Sequence, residues 1–217
     1  MSKQPLLEVQ VWGDFACFTR PEMKVERVSY SVMTPSAARG ILEAIFWKPE
    51  FEWDVREIVV LKPIKFFSIL RNEVNSRASL TAATAAIEKG ERYYAEEDRA
   101  QRHTLALRDV AYVIRADMRL NPQATDDVAK YRDQFRRRVT RGQCFTQPVL
   151  GCREFSARFS DPDPAMMPIA DHTELGRTLY DLDYAADGSG RGTPIFFDAA
   201  LDHGVLRVPD TLHRRTR

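Results

Sequence analysis

Residues 125–159 read TDDVAKYRDQFRRRVTRGQCFTQPVLGCREFSARF. At 100° per residue, Val128, Tyr131, Phe135 and Val139 share one stripe, and Lys130, Gln134, Arg137 and Arg141 share the opposite one. That is the pattern of a helix burying one face. Thr125 stands where an N-cap belongs. Asp126 and Asp127 suit the positive end of the helix dipole, the arginines suit its last turn, and Gly142 is a natural stop. The expected helix covers residues 126–141, followed by a turn and the strand CREFSARF.

The outer face of this helix is nearly single-signed. Between Lys130 and Arg158 stand Lys130, Arg132, Arg136, Arg137, Arg138, Arg141, Arg153 and Arg158, against only Asp133 and Glu154. That is a local net charge of +6 in a chain whose total is +1, so the remainder carries −5. Like charges on one helix face repel, and an ordinary solvated face mixes signs. Positive charge concentrated in one stretch of a near-neutral protein points to a polyanion partner.

Upstream of this stretch, Leu7, Val9 and Val11 alternate with polar positions, giving a strand over 6–12 that continues toward Phe18 past a bulge. SYSV (29–32) reads as a short strand. Thr34-Pro35 opens a helix over 35–47, with Ala38, Ile41, Leu42 and Ile45 inward, and the mid-helix Gly40 suggests close packing against a sheet. Residues 55–62 and 64–71 are strands flanking Pro63. From 72 to 102 no core pattern holds beyond a short helix near 80–89, so this run reads as an inserted functional hook. Alternation returns in a long strand, 103–120.

The resulting order β–α–β–β–hook–β–α–β is an α+β, ferredoxin-like plan shared with RNA-recognition domains. It occupies residues 1–160, and the Pro- and Asp-rich 160–173 reads as a boundary loop. Short strands at 176–184, 194–200 and 205–209, with turns at DGSGRGT and Asp202-His203-Gly204, form a small antiparallel extension within 174–217. DGSGRG lacks the spacing and the following helix of a dinucleotide-binding loop, so it is a hairpin turn.

The totals bound the class. A chain of 217 residues with 44% hydrophobic content can bury a real core. Three cysteines (Cys17, Cys144, Cys152) without a CxxC pair indicate neither a disulfide framework nor a zinc site and fit a reducing cytoplasm. The histidines His103, His172, His203 and His213 show no metal-ligand spacing. No apolar run reaches membrane-spanning length, and no signal peptide core is present.

Three stretches together, SYSVMTPSAARGILEAIFWKP, QRHTLALRDVAYVI and RGQCFTQPVLGCREF, resemble the CRISPR-associated RAMP proteins of family five in their subtype I-C (Dvulg) form. The similarity runs from about Trp12 to Tyr184 with the motifs in family order. The resemblance implies a ferredoxin-like domain with a β-rich extension, and a metal-independent endoribonuclease without cofactors. It would cut the repeat hairpin of precursor CRISPR RNA and remain on the 5′ handle beside the other subunits of the interference complex. Such a reaction needs a base for the attacking 2′-hydroxyl, a cation for the phosphorane and an acid for the departing 5′-oxygen.

In one branch of that family these roles fall to a tyrosine before Trp-Lys-Pro and a Lys-His pair on the second helix. Here the tyrosine position is Phe46, and the pair aligns with Ala129-Lys130, or with Lys130-Tyr131 after a one-residue shift. The expected catalytic residues are therefore Lys130 as cation and His103, beside Arg102, as base. Lys48, Arg102, Arg136, Arg137, Arg138 and Arg141 are the expected RNA contacts. Tyr131 on the apolar stripe, Tyr30, Tyr112, Trp12, Phe15 and Phe18 read as packing residues, and Cys144 and Cys152 as small buried ones. The competing reading is a non-catalytic RNA- or DNA-binding structural subunit. Duplex DNA is a partner that phosphate contacts alone would admit.

Overall fold

The computed structural model describes residues 5–212, apart from 24, 77, 78, 91, 93, 186, 187, 189 and 191. The basic tail with His213 lies outside the described residues, as do parts of the DGSGRGT turn. Nine strands form one curled sheet. They are β1 (Leu7–Ala16), β2 (Arg27–Val28), β3 (Phe51–Val60), β4 (Phe66–Val74), β5 (Arg99–Leu120), β6 (Arg158–Ser160), β7 (Thr173–Tyr184), β8 (Gly192–Asp202) and β9 (Val205–Arg207). The helices are α1 (Pro35–Ile45), α2 (Leu80–Lys89) and α3 (Val128–Thr140).

The sheet order is β6-β1-β5-β3-β9-β8-β7, every neighbour antiparallel, while the short β2 lies parallel to β5 and β4 pairs with the first half of β5. β9 pairs with β3 through Glu57–Val59, so the C-terminal strands continue the main sheet instead of forming a separate one. The loop before them also docks. Asp163 N donates to Gln10 Oε1 at 2.8 Å and Ile169 N to the Val60 carbonyl at 3.0 Å.

α1 starts as its sequence dictates: Thr34 Oγ1 accepts from Ala37 N at 3.3 Å, and Pro35 fills the first turn. Ala38, Ile41, Leu42 and Ile45 are buried. Gly40, expected against a sheet, instead faces open space, and a Cβ there would meet nothing within 4 Å. α3 starts at Asp127, not Thr125, because the Asp127 carboxylate accepts from Ala129 N at 2.7 Å and closes the first turn. Its end is as expected, with Gly142 at φ +62°. Tyr131, Phe135 and Val139 are buried, and their rings interlock with β3: Phe51–Tyr131 centroids are 5.4 Å apart and Trp53–Phe135 4.8 Å. Both helices thus share one hydrophobic cluster on one face of the sheet.

The hook is more ordered than its sequence suggested. β4 and β5 pair from Phe66↔Leu107 out to Val74↔Arg99, forming a ribbon with α2 between its strands in sequence. No residue of β4 is fully buried, and beyond Thr104 the outer end of the ribbon, 72–74 with 99–102, has no buried side chain for the sequence to reveal. SYSV is likewise not a strand: β2 precedes it, and only Ser29 makes an isolated bridge, to Thr19. Among the expected packing aromatics, Phe18, Tyr30 and Tyr112 are buried, but Phe15 is 43% exposed and packs its ring 4.8 Å from Phe67.

Candidate nucleic-acid interface

The C-terminal turn of α1 is fastened to α3. Arg138 Nη1 donates to the Ile45 carbonyl at 2.9 Å, and its guanidinium lies 5.3 Å from the centre of the Phe46 ring. The Lys48 amine sits 5.5 Å from the centre of the Tyr131 ring. Phe145 N and Thr146 N both donate to the Ala44 carbonyl, bringing the loop after α3 to the same place. Two large aromatics stay uncovered there, Trp47 at 55% and Phe145 at 75% exposure. Beside the end of α1 opens a cleft of about 410 Å³, lined by Trp47, Lys48 and Asn121 and by Arg39 and Arg119, whose charges are met by Asp181, Glu43, Glu52 and Asp54 in the same wall.

The basic face divides once partners are assigned. Lys130, Arg136, Arg137 and Arg141 are exposed, as the wheel required. Lys130 Nζ donates to Asp126 Oδ2 at 2.8 Å, and that hydrogen bond raises the amine above its ordinary range, so it is an ammonium at neutral pH. A raised amine suits a phosphate-stabilising cation and not a base. Arg136 pairs with Asp133 at 3.0 Å. Arg137 and Arg141 make no ion pair among the described residues and are free to meet phosphates. Arg138 is committed to α1. Arg132, counted with the basic face in the sequence, is 2% exposed; it donates to Asp117 Oδ1 at 2.7 Å and to the Pro5 carbonyl. It holds the fold together and offers nothing to a ligand.

His103 and Arg102 sit on the ribbon strand β5, outside this neighbourhood. His103 N donates to Glu26 Oε2 at 2.5 Å, and Arg102 Nη2 donates to Asn75 Oδ1 at 3.0 Å. Asp117, which anchors α3 through Arg132, lies fourteen positions further along the same strand. At about 3.3 Å per residue this is at most roughly 46 Å along the strand. Among the described residues no contact links His103 with Lys130.

Two features escaped the sequence reading. Cys152 sits beside a cation: Arg27 Nη1 lies 3.5 Å from its sulfur. A hydrogen bond from the Cys17 thiol, then Thr19 and Arg27, hold Cys152 down to about 6, while the same contact and burial push Cys17 up. Arg27 and Arg71 also share Glu73 and Glu154, tying the ribbon base to the LGCREF block. The second feature joins histidines that show no metal-ligand spacing in the sequence. Single donor atoms from His172, Asp202 and His203 all lie within 4.8 Å of one another. The strand register causes this, since Thr173 pairs with Leu201.

Residues 6–209 match the family described as CRISPR-associated protein (Cas_Cas5), in its Cas5d form. The chain belongs to the Cas5d family. A relative from Thermus thermophilus, named CRISPR pre-crRNA endoribonuclease Cas5d, is 47% identical over 218 residues, covering 94% of this chain and 91% of that one. A second of the same name, from Mannheimia succiniciproducens, is 45% identical over 212 residues and 94% of each chain. A solved CRISPR-associated protein superposes with a TM-score of 0.67 at 22% identity, over 97% of this chain and 95% of that one. A Streptococcus mutans protein gives 0.66 at 18% identity with the same coverage. At these identities the two structures speak to the fold alone. No described helix is long and apolar enough to cross a membrane.

Proposed function

We propose that this chain is an endoribonuclease that processes precursor CRISPR RNA and binds it across α3 and the end of α1. What supports the reading is the exposed basic face of α3 (Lys130, Arg137, Arg141), together with Lys48 and the uncovered rings of Trp47 and Phe145 at the end of α1 that is fastened to α3. Sequence-specific RNA recognition uses unstacked bases laid on aromatic rings with phosphates on cations, and both are available here. The two named relatives support the activity, and they align over nearly their whole length.

The chemistry we assign is metal-independent attack of a 2′-hydroxyl on its neighbouring phosphate. Lys130 offsets the charge of the phosphorane, and stacking on Trp47 or Phe145 sets the in-line geometry. Phe46 has no hydroxyl and is buried under Arg138, so it contributes position only. Tyr131 is fully buried and its hydroxyl has no hydrogen-bond partner, so it acts as packing. Arg102 and His103, on the ribbon, contact a different part of the transcript. The core reads as ferredoxin-like; the order β6-β1-β5-β3 with α1 and α3 as its two crossovers supports that plan. Retention on the 5′ handle within a subtype I-C interference complex in the cytoplasm, and weaker phosphate-driven binding of duplex DNA, belong to the same reading.

The test is the purified chain with its own repeat RNA in EDTA. One cut leaving a 2′,3′-cyclic phosphate is expected. Tight binding without any cut would select the non-catalytic subunit.

A further inference from the structure

We propose that His172 and His203 form a binding site for a divalent transition metal, with Asp202 as its positioning residue, and that the metal staples the loop before β7 to the β8–β9 turn. The proposal does not rest on RNA cleavage, and its failure would leave the ribonuclease reading untouched.

The backbone is fixed before any side chain is considered. His203 and Gly204 form a two-residue turn with φ of 48° and 72°, the pair of positive angles a tight hairpin requires. Gly204 is clamped from both sides. Its amide donates to the Asp171 carbonyl at 2.9 Å, and its carbonyl accepts from Val60 N at 2.8 Å. A Cβ at Gly204 would collide with the Ile169 carbonyl, so the loop and the turn meet backbone to backbone. His172 from the loop and Asp202-His203 from the turn are thereby held side by side.

The side chains then assign their own protons. His172 Nδ1 faces Asp202 Oδ1 at 3.3 Å, a charge contact that favours the tautomer with its hydrogen on Nδ1. The other carboxylate oxygen accepts from Arg207 Nη1 at 2.8 Å, which keeps Asp202 ionised and oriented. His172 Nε2 lies 3.1 Å from His203 Nδ1, with the two rings side by side, their centroids 3.9 Å apart at 74°. Two imidazole nitrogens share one proton at that contact. Two nitrogens bound to one tetrahedral metal at about 2.05 Å are separated by about 3.3 Å. Both side chains are exposed, so the rings can turn about their side-chain bonds until the two lone pairs meet on one metal ion, which takes the place of the shared proton; the proton leaves to solvent. Asp202 would do what a carboxylate behind a metal-bound histidine does: fix the tautomer and raise the basicity of Nε2.

The donor set selects the metal. Two neutral imidazoles favour zinc, nickel or copper over magnesium or calcium. All three side chains are exposed, so water would complete the coordination. This is the geometry of a clamp. The gain is structural: it adds to the attachments of β7, β8 and β9, which are β9 on β3, this docked loop, and β7 on α1 through Arg39 Nη2 and Asp181 Oδ1 at 2.6 Å.

The test is calorimetric titration of the untagged full chain with Zn²⁺, repeated in buffers of different ionisation enthalpy to count released protons. One equivalent should bind with proton release and raise Tm, and Ni²⁺ should behave alike. His172→Ala should abolish this binding. So should His203→Asn, chosen because Asn tolerates the left-handed backbone of the turn. Asp202→Asn should weaken it about 10- to 100-fold. If wild type binds no zinc at millimolar concentration, the proposal is wrong. It is equally wrong if His172→Ala and His203→Asn bind as wild type does, since the zinc would then sit elsewhere, for instance on Cys152.

Discussion

Replacing Arg132 by methionine separates the arginine that holds α3 in place from those that meet RNA. Its guanidinium is 2% exposed and satisfies Asp117, itself 29% exposed, and the Pro5 carbonyl. Removing one partner of a fully buried pair costs about 3–5 kcal/mol, most of it the penalty of the charge left behind. Here the charge left behind is Asp117, which can rehydrate, and methionine keeps the volume of the stem. The cost should therefore be about 2–3 kcal/mol, which for a chain of this size lowers Tm by roughly 4–12 °C. The reverse change, Asp117→Ala, strands the guanidinium in the core and should cost more. Thermal or urea unfolding reads both. The salt dependence of RNA binding should keep its slope in Arg132→Met, because no phosphate contact is lost. A reduced slope with unchanged Tm would refute the assignment and return Arg132 to the exposed face.

Arg137→Ala should do the opposite: unchanged Tm, weaker binding to many RNAs alike, and a log–log salt slope smaller by roughly 0.7 to 0.9, measured by fluorescence anisotropy at several salt concentrations. Trp47→Ala and Phe145→Ala should each weaken single-stranded RNA by about 1–3 kcal/mol per lost stack, and equal binding of both variants would remove these rings from the interface. Cys152 should be a thiolate at neutral pH. Its alkylation rate should climb through about pH 6 and level off, and Arg27→Ala should move that rise to higher pH. Because its folded value is depressed, Cys152 stabilises the fold above the ordinary thiol range, and that contribution is lost as pH falls toward 6.

Much of this architecture was legible because burial imposes a period. The 3.6-residue stripe of α3, the Thr34-Pro35 start of α1 and the alternation in β1, β3 and β5 each record a face pressed against the core. Where no face is buried, the record fails. The ends of the ribbon, residues 72–74 of β4 and 99–102 of β5, have no buried side chain, so they read as part of a patternless hook while 64–71 and 103–120 read as strands. β2 is two residues long and has no period at all. Arg132 was misassigned because an arginine's sequence position does not say whether its partner is a phosphate or Asp117. His103 and Lys130 were named on chemistry alone, and His103 lies on the ribbon strand while Lys130 lies on α3. The histidine cluster and the Cys152–Arg27 contact depend on strand register and on β2, so no linear spacing could announce them.

The central claim is that Lys130 meets the scissile phosphate and is not one more backbone contact. It is decided by single-turnover cleavage of the repeat RNA by Lys130→Ala, with protein saturating and EDTA present. The account predicts a fall of roughly 100-fold, about 2.7 kcal/mol of transition-state stabilisation, beyond any loss of affinity, while Arg137→Ala cuts at nearly the wild-type rate once RNA is bound. Cleavage by Lys130→Ala at the wild-type rate under saturation would contradict it and move the active site away from α3.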